Sequence, residues 1–258
     1  MATELNSAAD QKVTGKEPVI EIGHLKKAFG DNVVLSDFNL KIYEGENVVV
    51  MGKSGIGKTI LIKCIIGLVK PDGGLLKVFG KDISKLNHQE LDDMRTRIGF
   101  VFQSSALYDS MTVRQNLEFP LRRHRRKKIT GTLDELVREA LHNVGLENTI
   151  DLMPSELSGG MRKRIGIARS LILKPELVLY DEPTTGLDPI TSEEITRLIM
   201  DLQQKYKTTA IIITHDTVMA REAANRIVFL WKGIAYKEGT YDELIHDQDS
   251  EIKHFFTR

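Results

Sequence analysis

The chain has 258 residues, with 36 Lys+Arg against 36 Asp+Glu and a formal net charge of zero. That balance excludes a chain-wide attraction to nucleic acid or anionic membrane and leaves only local patches to supply one. A single cysteine, Cys64, excludes an intramolecular disulfide framework and any cysteine-based metal cluster.

The length suits one large domain or a core with one inserted subdomain. Residues 1–17 hold no apolar h-region, so they are read as a disordered tail and not as a secretory signal. No apolar stretch approaches the ~20 residues that cross a bilayer. The chain is therefore expected in the cytoplasm, reaching a membrane only through a partner.

Short β-branched runs then alternate with helix-like stretches, the pattern of an α/β sheet. Strands are predicted at 19–25, 33–42, 47–51, 75–78, 98–102, 177–180, 210–214, 226–231 and 234–238. The runs 48–51, 177–180 and 211–213 are apolar without alternation, as in parallel strands covered on both faces. Cys64 lies in the apolar run 60–69 and reads as a small buried hydrophobe.

Between 107 and 160 the signal changes. Leu133, Leu136, Val137, Ala140, Leu141 and Val144 recur at helical spacing, with Gly145 as the stop. This reads as a mostly helical insert, about 104–162, within a domain spanning 18–240. The basic run 122–128 has three readings: a solvated face, contact with anionic headgroups, or nucleic acid. The end, 241–258, is predicted as a helix at 241–246 and an amphipathic tail carrying Phe255 and Phe256.

Gly52-Lys53-Ser54-Gly55-Ile56-Gly57-Lys58-Thr59 fits the phosphate-loop pattern, between a buried strand and an apolar helix. Glycines let successive N–H groups face the phosphates, and the helix N-terminus adds positive charge there. Lys58 can reach the β- and γ-phosphates of ATP, and the Thr59 hydroxyl can ligate Mg²⁺. A second apolar strand ends in Asp181 and Glu182, placed to hold Mg²⁺ and to orient or deprotonate water. A third ends in His215, which can donate to charge developing on the γ-phosphate. Ser158, Gly159 and Gly160 open a helix-like run and describe a second anion site. Two phosphate sites for one nucleotide make sense if two copies pair head to tail.

With those motifs in place the sequence resembles the ATP-binding cassette (ABC) ATPases from about residue 19 to 239. The resemblance implies a phosphate-loop α/β core with an N-terminal antiparallel β-subdomain and an inserted α-helical subdomain. It implies Phe29 stacking on adenine, Gln103 as the Q-loop glutamine and a further metal ligand, and Asp188 as the D-loop residue. It further implies a homodimer that sandwiches two Mg-ATP. Met161 departs from the usual glutamine of the signature, and Ile60 from a common hydroxyl residue.

The stretch 102–117 with Phe119-Pro120-Leu121, and 153–164 with Asp188-Pro189-Ile190-Thr191, resembles the MlaF-like subfamily that serves MCE-domain systems. That likeness implies phospholipid transport at the cytoplasmic face of an inner membrane, with an integral MlaE-type permease and MCE-domain proteins. It leaves open a small regulatory subunit, and it implies no nucleic-acid partner. Residues 105–116 are the expected permease-facing surface. Alternatives are another ABC transporter for lipoprotein release or amino-acid import, a soluble ABC ATPase, and a nucleotide-binding module without turnover. Glu182 and His215 together disfavour the last.

Overall fold

The computed structural model describes residues 17–124 and 129–256. Apart from Glu17, the predicted tail lies outside the described residues, as does 125–128 of the basic run.

Alternating burial marks the first two strands as half-covered. β1 (Ile20–Phe29) and β2 (Asn32–Ile42) pair antiparallel, with Ile20 opposite Ile42 and Ile22 opposite Leu40. β3 (Asn47–Met51) leads through the phosphate loop into α1 (Lys58–Ile65). β4 (Gly73–Val78) and the two-residue β5 (Lys81–Asp82) complete a four-stranded antiparallel sheet of order β2-β1-β4-β5. After α2 (His88–Arg95), β6 (Ile98–Val101) starts the far side of a second sheet.

The insert is helical, as the spacing predicts. α3 (Val113–Arg123) and α4 (Leu133–His142) pack with each other and with α5 (Gly159–Leu171), which runs back against β6. Gly145 closes α4 from the left-handed region, at φ 68°. The core resumes with β7 (Leu177–Asp181), α6 (Pro189–Tyr206), β8 (Thr209–Ile213), α7 (Thr217–Ala223), β9 (Arg226–Trp231) and β10 (Ile234–Gly239). α8 (Tyr241–Ile245) and α9 (Ser250–Phe256) end the chain.

The three uniformly apolar runs lie where no face meets water. β3, β7 and β8 are buried at every residue, and Ile211 of β8 sits between Val48 and Leu179 of its two parallel neighbours. The order is β10-β9-β3-β8-β7-β6, with only β10 antiparallel. Alternation sends Val48, Val50, Leu177, Leu179, Ile211 and Ile213 into the core shared with α1 and the antiparallel sheet. Val49, Met51, Val178, Tyr180, Ala210 and Ile212 enter the core shared with the insert, α6 and α7. Each fully buried Val, Leu, Ile or Met among them contributes roughly 1.5–3 kcal/mol before the entropy of ordering it.

Several elements differ from their predicted extents. β1 runs on to Phe29 where the pattern predicts an end at 25, because β2 continues to pair with it as far as Asn32. β5, α2, α6 and α7 are additions. α2 is so polar that Met94 is its one buried residue, which hides it from an apolar-spacing test.

Candidate nucleotide site

The phosphate loop is shaped by its own lysine and by its neighbours. Lys58 Nζ donates to the carbonyls of Gly52 (2.7 Å) and Lys53 (3.1 Å) and lies 3.7 Å from Glu182 Oε1. Burial depresses its pKa, and the carboxylates of Glu182 and Asp181 oppose that shift. Gly57 takes φ 115°, and a Cβ there would lie 2.4 Å from Val34 Cγ1, so the position requires glycine. No side chain caps the start of α1, which leaves its N-terminus to an anion.

β7 and β8 deliver the carboxylates and the histidine. Thr59 Oγ1 donates to Asp181 Oδ1 at 3.0 Å. A hydroxyl beside a carboxylate is the hard oxygen donor set that Mg²⁺ takes, so these residues fit the metal. Burial, above all, raises the pKa of Asp181, with the Thr59 bond opposing. Glu182 follows at φ 49°, an uncommon conformation for a residue of its size. Its Oε2 accepts from Thr185 Oγ1 at 3.3 Å and lies 2.8 Å from His215 Nδ1.

Phe29, Ser54, Gly55, Gly57, Lys58, Thr59, Gln103, Glu182 and His215 line one open cleft of about 540 Å³. Asp181 adjoins it through Thr59. Phe29 is half exposed, with Lys27 Nζ 5.0 Å from its ring centroid. The cleft also takes Asn32, Val34, Ile60 and Thr185, which sequence reasoning missed. Thr185 had one available signal, its place just beyond the Asp-Glu pair.

Ser158, Gly159, Gly160 and Asp188 do not line this cleft. Ser158 caps α5, its Oγ accepting from the N–H of Met161 at 3.2 Å, while the Met161 side chain packs on the insert core. Asp188 caps α6 and accepts from Thr191 Oγ1 at 2.6 Å. The two helix starts touch, since a Cβ on Gly160 would come 2.8 Å from Thr191 Cγ2. The phosphate loop and the Ser158 helix start thus lie on different elements of one chain.

The model of the ABC transporter family matches residues 35–185, more than half the chain, and spans the phosphate loop, the Gln103 loop, the signature and the Asp-Glu strand end. The chain belongs to the ABC transporter family. It is an ATP-binding subunit of an ABC transporter and an ATPase that uses ATP with Mg²⁺.

Relatives include the intermembrane phospholipid transport system ATP-binding protein MlaF of Haemophilus influenzae, 37% identical over 92% of this chain and 89% of that protein. The probable ribonucleotide transport ATP-binding protein mkl of Mycobacterium leprae is 37% identical over 92% of this chain, which spans 68% of that relative. The methionine import protein MetN of Clostridium tetani is 37% identical over 91% of this chain and 73% of its own length. A dimeric ATP-binding cassette in a post-hydrolysis state with ADP and Pi superposes with a TM-score of 0.78 at 33% identity, over 86% of this chain and 98% of that one.

Among the described residues no helix is long and apolar enough to cross a membrane.

Proposed function

We propose that this ATPase powers phospholipid transport across a cell envelope, as a homodimer beneath an integral MlaE-type permease with MCE-domain partners. It would sit at the cytoplasmic face of the inner membrane, held there by the permease. The observation that carries the cargo is the likeness to MlaF over 92% of this chain and 89% of that protein. The equal identity to a methionine importer keeps amino-acid import as the second reading.

The loop amides of residues 52–59 and the α1 N-terminus bind the ATP phosphates, with Lys58 as their counter-charge. Phe29 stacks on adenine. Thr59, Asp181 and Gln103 would hold Mg²⁺, which when bound neutralises charge on the phosphate oxygens. Glu182 accepts the proton of the attacking water, and its alignment is supported by the contacts from Thr185 and His215. His215 also steadies charge growing on the γ-phosphate. Ser158, Gly159, Gly160 and Asp188 of a second copy complete each site, so ATP binding is also dimer closure.

The permease-facing surface narrows to the exposed part of 105–116. Tyr108 is 45% exposed, whereas Ser105, Val113 and Asn116 are buried. Reconstitution of the chain with an MlaE-type permease tests the cargo. ATP-dependent movement of a fluorescent phospholipid between vesicles supports the proposal, and methionine uptake without lipid movement overturns it.

A further inference from the structure

Lys163 lies within the stretch 153–164 but has been given no role of its own above. It lies on α5, five residues beyond the Ser158 cap, and is 6% exposed. Its ammonium donates to the backbone carbonyl of Gln103 at 2.5 Å and to that of Glu182 at 3.5 Å. A buried ammonium is an expensive way to hold a helix down, since an apolar side chain of similar length packs without desolvating a charge. Stability is therefore a poor explanation for a lysine here.

The two carbonyls belong to Gln103, proposed above to hold Mg²⁺, and to Glu182, proposed above to take the proton of the attacking water. Glu182 sits at φ 49°, and such a conformation persists only where its surroundings over-determine it. One tie is its own N–H donating to the Ile213 carbonyl at 2.9 Å, and Lys163 supplies another. The helix bearing Lys163 also runs close along the Gln103 loop, where a Cβ on Gly166 would lie 3.2 Å from the Ser105 carbonyl oxygen. At ~1.5 Å of rise per residue, the Ser158 end of that rigid helix is only about 7.5 Å away.

We propose that Lys163 is a positioning residue that ties Glu182 and the Gln103 loop to the signature helix. The hydrolytic geometry at one nucleotide then depends on how the Ser158 end of the same helix engages the other nucleotide. This rests on the paired-site reading above.

The test compares full-length parent, K163M and K163R for ATP hydrolysis, binding of a fluorescent ATP analogue and thermal unfolding. Small misplacement of reacting groups costs about a hundredfold, so K163M should lose about that much kcat while analogue affinity and KM stay within about threefold. The Hill coefficient for ATP should exceed 1 in the parent and fall to 1 in K163M, and K163R should recover most of the kcat. The proposal is overturned by a K163M kcat close to the parent's, or by an unchanged Hill coefficient. It is equally overturned by joint loss of kcat, affinity and melting temperature, or by a K163R as inactive as K163M. A separate arm runs E182Q with ATP on gel filtration. If E182Q stays monomeric, the paired-site reading fails; if it dimerises while K163M keeps its kcat, only the Lys163 role fails.

Discussion

His215 Nδ1 lies 2.8 Å from Glu182 Oε2, and the His215 backbone N–H points at the same oxygen from 3.4 Å. The two side chains arrive from different strands, β7 and β8, so the sheet register brings them together. E182Q keeps the shape and removes the base. It should lower kcat by about 10²–10³-fold, within the range of general-base catalysis, while ATP binding persists and an ATP-bound dimer accumulates on gel filtration. Undiminished turnover would sink the assignment. H215A should lose kcat with little change in ATP affinity.

Asp181 is held in a setting that opposes its charge. Burial raises its carboxyl pKa above the ordinary 3.8 in the folded chain. The folded state therefore binds more protons than the unfolded one between those two values, so stability is lost as pH rises through that window and stays lost above it. D181N removes the buried charge. The nucleotide-free chain should melt higher by about 2–4 °C, while Mg-dependent hydrolysis collapses. A lower melting temperature for D181N contradicts this account.

Trp231 is the one tryptophan of the chain, which makes it a clean reporter. Lys53 Nζ, within the phosphate loop, stands 4.4 Å from its ring centroid and 4.0 Å from Glu251 on α9. Nucleotide seated in the loop should disturb that ammonium, so Trp231 emission should change saturably as Mg-ATP is added. K53A should weaken the response, and a flat titration of the parent would refute the link.

Cys64 lies inside α1, fully buried, and burial pushes its thiol up to about 11. The thiolate is the reactive form, so modification by a thiol reagent near pH 8 should be slow and should follow unfolding. Rapid stoichiometric labelling of the folded chain, followed by mass spectrometry, would show that α1 opens locally.

Asn116 is fully buried; its amide nitrogen donates to the carbonyls of Tyr108, Met111 and Thr112, and its oxygen accepts from the Tyr108 N–H. N116A strands those backbone groups and should cost about 2–4 kcal/mol in denaturant unfolding. A loss of transport coupling that exceeds the loss of ATPase activity would accompany it, because Asn116 organises the loop that exposes Tyr108.

Much of this protein is legible in its sequence. Three short apolar runs without alternation, rich in valine and isoleucine, point to strands covered on both faces, since a half-exposed strand would leave a row of them in water. The phosphate loop was equally readable, because its chemistry needs glycines and a lysine at fixed local spacing. Signals for the missed helices were present as caps, a capping box of Asn87 with Glu90 before α2 and single aspartates, Asp188 and Asp216, before α6 and α7, but apolar spacing alone could not reveal them. β5 carried no such signal, for two residues pair only because β4 offers an edge.

What the sequence alone could determine is therefore local: element type, loop chemistry, and the set of residues able to handle phosphate, metal and water. Tertiary structure decided which of them meet. It set Glu182 beside His215 across 33 residues, and left Ser158 and Asp188 outside the cleft they were expected to serve within a pair. It also turned Lys163, indistinguishable in the run Arg162-Lys163-Arg164 from a solvated basic face, into a buried tie between two loops. Those outcomes follow from packing and strand register, which depend on contacts far apart in the chain and leave no mark on local spacing.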